Sequence, residues 1–191
     1  EVGERHLIEL LNRGQSNCTA RSASHALADA GATEILPRLL KMLGRDNRPY
    51  FHMDIAGALR KLGDERAVEE LIKILNAGIE EKKPNAKEDP MDQFTGRLMN
   101  RKRCAAALGG FDTEAARRAL ETGADNPQLA MVCSAALYGI TRETSRLKPV
   151  RAALEKNPTY GLGLALGILK DVDTAEAREV AVAIEEKMKR E

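Results

Sequence analysis

The stretch from Ala58 to Leu75, ALRKLGDERAVEELIKIL, recurs along this chain, and a recurring segment constrains the fold more tightly than any bulk property. It reads as the end of one helix, a tight turn and a second helix. A shift of 32 positions lays Ala26-Leu27 on Ala58-Leu59, Gly31 on Gly63, and Leu39 to Leu43 on Leu71 to Leu75. In the second copy Pro49 starts the first helix, Gly63 ends it and Asp64 caps the next. Ala67, Val68, Leu71, Ile72 and Leu75 then form an i, i+3/i+4, i+7 stripe, which buries one face and leaves the other free.

The same spacing organises the rest of the chain as one domain. A half repeat over 1–14 consists of a second helix alone, and hairpins follow at about 15–45, 46–77, 97–124, 125–156 and 157–191. In the first, Thr33 is the expected cap and Pro37 falls in the first helical turn, where a missing N–H costs little. Ala58 and Ala107 are 49 positions apart, whereas Ala107, Ala136 and Ala165 repeat every 29, so an insertion lies at about 78–96. Its charged part, Glu80 to Glu88, reads as a loop, and Asp89-Pro90 as cap and first residue of a lengthened first helix. Asn126-Pro127 and Asn157-Pro158 are expected to open the later hairpins. Asp173 with Glu176 reads as a capping box for the last helix.

Composition narrows the class. The apolar fraction is 43%, much of it Ala, Leu and Ile, while aromatics are 3% and Trp is absent, which suits close-packed helices. A net charge of +1 gives no global electrostatic case for nucleic acid or an anionic membrane, and no apolar run approaches a membrane span. The three cysteines have no zinc or CxxC spacing. Cys104 and Cys133 occupy equivalent positions in neighbouring hairpins, where helix axes roughly 8–10 Å apart favour free thiols over a bridge. Free thiols point to a reducing compartment, the cytoplasm.

A helical hairpin of about 30 residues, with Ala-Leu before a Gly-Asp turn and then Val-x-x-Leu-Ile-x-x-Leu, resembles the HEAT-like repeats first described in phycobiliprotein lyases. The resemblance is closest over Ala58 to Leu75, fair over Ala26 to Leu43, and beyond Gly110 is carried by spacing. It implies an all-α, right-handed α-solenoid of about five HEAT-like hairpins whose second helices line a concave surface, and a role in holding other proteins. It also brings enzymes into view. Di-iron hydroxylases of that superfamily use His-Glu pairs, whereas His6, His25 and His52 are followed here by Leu7, Ala26 and Met53. DNA glycosylases of similar shape use Trp in a basic cleft. A phycobilin lyase acting with a partner subunit leaves no short motif to test and stays open as the second reading.

No catalytic group, metal site or cofactor signature emerges, so the candidate site is a partner surface. On the second helices, Arg38, Glu70 and Arg118 fall in one row with His6, and Lys41 and Lys73 fall in another with Glu9 and Glu121. Arg146, Lys148 and Arg151 extend the basic bias, and Met91 and Phe94 of the insertion add apolar grip. The expected partner is an acidic peptide or helix held by bidentate Arg contacts. The bland reading is that these charges are solvated and pair between adjacent helices.

Overall fold

Repeated pairs of apolar stripes can be buried only by stacking, and the computed structural model shows how. It describes residues 5–6, 8–9, 17–45, 49–77, 90–155 and 161–190. Five hairpins stack in sequence. They comprise α1 (Asn17–Asp29) with α2 (Leu36–Arg45), α3 (Pro49–Leu62) with α4 (Val68–Asn76), and α5 (Pro90–Leu108) with α6 (Glu114–Ala124). Then come α7 (Ala130–Thr141) with α8 (Lys148–Glu155), and α9 (Leu162–Lys170) with α10 (Ala175–Arg190). The architecture is an all-α solenoid, and no strand occurs among the described residues. Of the half repeat over 1–14, residues 5–6 and 8–9 are described as helical, and Ile8 packs against the core. The loop expected from Glu80 to Glu88 and the opening expected at Asn157-Pro158 lie outside the described residues.

The punctuation follows local chemistry. Pro49 and Pro90 are the first residues of α3 and α5, where the absent N–H removes no helical bond. Gly31 and Gly63 close α1 and α3 at φ +71° and +60°, a backbone region that side chains disfavour. Asp64 accepts the backbone N–H of Arg66 at 3.0 Å and so caps the short 3-10 turn Glu65–Ala67 that leads into α4, rather than α4 itself. Three further details differ from the sequence expectation. Thr33 is no cap; it begins a short 3-10 turn, Thr33–Ile35, that leads into α2. Asn126-Pro127 forms a turn, with the Asn126 Oδ1 accepting from Gln128 N at 2.9 Å, and α7 opens at Ala130. The last helix is capped by Thr174, whose Oγ1 accepts from Ala177 N at 3.1 Å, while Asp173 pairs with Arg178.

The first helices form the spine. α5 buries every residue from Lys102 to Leu108 and α7 every residue from Val132 to Tyr138, so each is covered on all sides. Ala58, Ala107, Ala136 and Ala165 are at most 1% exposed and let these helices lie close. First helices pack extensively on their successors, and α5 also touches α9 two hairpins away, whereas second helices touch one another sparingly. The stack therefore bends toward its first helices. The second helices occupy the outer, wider side, opposite to the concave placement that the resemblance implies.

Cys104 and Cys133 are buried free thiols. Burial pushes the Cys133 thiol up to about 12 and raises Cys104 as well. A thiol that ionises near about 8.5 in the unfolded chain but far higher in the fold contributes stability that is complete below about pH 8.5 and is lost as pH rises toward about 12. At about pH 8 an alkylating reagent should leave both thiols untouched in the native protein and modify both in urea. Native modification at the rate of a free thiol would contradict the buried stack.

Candidate partner-binding site

The outer row carries a groove between α2 and α4. Leu39, Leu71 and Leu75, each fully buried, anchor the two helices and fix their spacing. Above them the stripe gives way to Pro37, Leu40 and Lys41 from α2, to Glu69, Glu70 and Lys73 from α4, and to Arg66 from the 3-10 turn Glu65–Ala67 that precedes α4. These residues enclose about 460 Å³, open to solvent, with Leu40 as a half-buried apolar floor.

The charges are arranged unevenly. Lys73 lies 3.1 Å from Glu69 Oε1 and 3.5 Å from Glu70 Oε2, and the hydrogen bond to Glu69, with the field of both carboxylates, holds the ammonium above its ordinary range. Arg66 grips Asp64 through Nε at 2.8 and 3.0 Å, which lowers the Asp64 carboxyl and raises the guanidinium. Lys41 is exposed and makes no ion pair among the described residues. The groove thus has three cations against two carboxylates, with one ammonium uncommitted.

Lys41, Glu70 and Lys73 are therefore brought together, and Arg38 lies half-buried on the same helix as Lys41. Three of the remaining basic residues are spoken for, while Lys148 is exposed at the start of α8. Arg118 pairs with Glu114 one turn back on α6. Arg146 reaches Glu121 at 3.0 Å and Glu143 at 3.1 Å, and Arg151 reaches Glu179 at 3.2 Å, so both tie adjacent hairpins together. Met91 and Phe94 lie in the opening turns of α5, and their side chains are outside the described residues.

Sequence reasoning missed Pro37, Leu40, Arg66 and Glu69 as groove residues. The offset of 32 that pairs Lys41 with Lys73 also brings their helix neighbours together, so the signal was present. It missed as well how cations finish helix ends across hairpins. Arg101 Nε donates to Leu75 O at 2.6 Å, and Lys187 Nζ to Leu154 O at 2.6 Å, each satisfying a carbonyl at the C-terminus of a neighbouring second helix.

Among the described residues no group of three His, Cys, Asp or Glu side chains is placed to hold a metal ion. No helix of the described residues is long and apolar enough to cross a membrane. Residues 4–81, which span the first two hairpins and the groove between them, match the family model of HEAT repeats. Residues 4–81 are thus a segment of HEAT repeats, and hairpins three to five continue the same helical-hairpin architecture beyond the matched residues. HEAT repeats commonly serve as scaffolds for protein interaction. No curated protein matches the chain.

Proposed function

We propose that the chain is a non-catalytic interaction scaffold that holds an acidic peptide segment on its second-helix face, at the groove between α2 and α4. The observation that carries the reading is Lys41, an ammonium with no ion pair among the described residues, which lines with Lys73 and the apolar Leu40 a groove between two anchored helices. An acidic side chain entering there exchanges with Glu69 or Glu70 for Lys73 and meets Lys41 directly, while an apolar neighbour covers Leu40. Because the helices are anchored by buried leucines, the surface loses little freedom on binding, which leaves more of the contact energy as affinity. Both sources of attraction are local, in keeping with a chain whose overall charge is nearly balanced.

The test is fluorescence anisotropy with a short Glu-rich peptide carrying one leucine, at low and high salt. Lys41→Glu with Lys73→Glu is expected to weaken binding by about tenfold or more, close to 1.4 kcal/mol, and the wild-type affinity should fall with salt. Arg118→Glu with Arg151→Glu, outside the groove, should change it little. Equal losses from both double variants would refute the groove and leave only diffuse attraction between opposite charges.

A further inference from the structure

Helical hairpins in a stack pack mainly on their immediate neighbours, and residues three hairpins apart, in the second and the fifth, are not expected to meet. Arg60, in the last turn of α3, nevertheless forms an ion pair with Asp171 at the end of α9, 111 positions along the chain. Its guanidinium also lies 3.5 Å from Gly167 O, one of the carbonyls near the C-terminus of α9. We infer that this pair is a clasp that sets the curvature of the solenoid by tying hairpin two to hairpin five across the two hairpins between them.

The intervening turns are built to let the ends meet. A Cβ on Gly110 would fall 2.2 Å from Arg60 Cγ and 3.1 Å from its Cα, so only glycine lets the α5 turn lie against the Arg60 stem. A Cβ on Gly109 would be 3.0 Å from Ala136 Cβ, and one on Gly139 would be 3.4 Å from Ile168 Cγ2. The C-terminal ends of α3, α5, α7 and α9 therefore converge through a file of glycines and alanines. The Arg60 side chain is 19% exposed and Asp171 64%, so the stem is buried along Gly110 while the charge emerges to meet its partner.

The position of Asp171 supports a role beyond its own helix. It is the C-cap of α9, where the helix dipole makes a carboxylate unfavourable. Lys170, beside it, is engaged by Glu185 at 2.6 Å and leaves Asp171 to Arg60. An anion at the wrong end of a helix is thus compensated by a cation from three hairpins earlier. Because the carboxylate is solvent-facing, the clasp weakens with salt, and curvature becomes sensitive to ionic strength.

Small-angle scattering of the full chain and of Asp171→Glu, Asp171→Asn and Asp171→Lys tests this without disturbing the buried Arg60 stem. The Glu variant should match the wild type. Asn and then Lys should expand the radius of gyration, by about 1 Å over the roughly 16 Å of a compact chain of this length, with helical ellipticity unchanged. High salt should move the wild type toward the Asn variant. Identical scattering from all four proteins at low salt would overturn the clasp. So would expansion accompanied by loss of ellipticity, which would report fraying of α9, or equal expansion in the Glu variant.

Discussion

Replacing Leu71 with alanine is expected to lower the unfolding free energy by about 2–5 kcal/mol. Leu71 has no exposed surface and lies midway along α4, the second helix that also walls the candidate groove. α4 packs on α5 and α6 of the next hairpin and on α2 of the previous one, so no single neighbour can move in to fill the void without leaving another. The loss therefore combines the transfer energy of the missing methyls with an uncollapsed cavity. Urea unfolding should show an earlier midpoint with an unchanged slope, since the exposed surface of unfolding stays the same. Lys73→Ala, two residues on and exposed, should cost less than about 0.5 kcal/mol. A Leu71→Ala loss below about 1 kcal/mol would mean that the helical register of hairpin two is wrong.

That register was legible because it rests on local periodicity. The offset of 32 carried Leu39 onto Leu71 and Gly31 onto Gly63, and both pairs occupy the positions it assigned, the leucines buried and the glycines at positive φ. Pro49 and Pro90 marked helix starts for a purely local reason, the missing N–H. Capping was less legible where a tertiary partner chooses among neighbours. Thr174 rather than Asp173 caps α10, and the Tyr138 hydroxyl from hairpin four meets Thr174 Oγ1 at 2.6 Å while Arg178 engages Asp173.

The candidate site divides along the same line. Lys41 and Lys73 share one repeat position in adjacent hairpins, so sequence alone placed them side by side. The commitments of Arg146 to Glu121 and of Arg151 to Glu179 depend on how two hairpins are rotated, which no spacing encodes. The direction of bend was hidden for a related reason. Amphipathic second helices look the same on either side of an arc, and the decision lies in the small residues of the first helices and in one ion pair between residues far apart in the chain. The HEAT-repeat resemblance carried the hairpin but not which row of helices lies inside.

Those small residues give the second large effect. Ala136→Leu is expected to cost about 1–3 kcal/mol or more, although leucine is at least as apolar and nearly as good a helix former. Ala136 is fully buried on α7 and faces Gly109, at the end of α5, closely enough that even a methyl on that glycine would sit 3.0 Å from the Ala136 Cβ. Three added carbons have nowhere to go except between the two helices. The spine must then spread, and the strain passes to Gly139 and Ile168 on the next interface and to the convergence at Arg60. By contrast Ala152→Leu, on the exposed face of α8, adds the same atoms where they meet water and should change stability by less than about 0.5 kcal/mol. Thermal unfolding of the two variants separates the explanations. A large drop for Ala136→Leu alone shows that the alanine column recurring every 29 residues holds the first helices together by being small. Equal, minor shifts would mean that the spine has room, and the bend would need another cause.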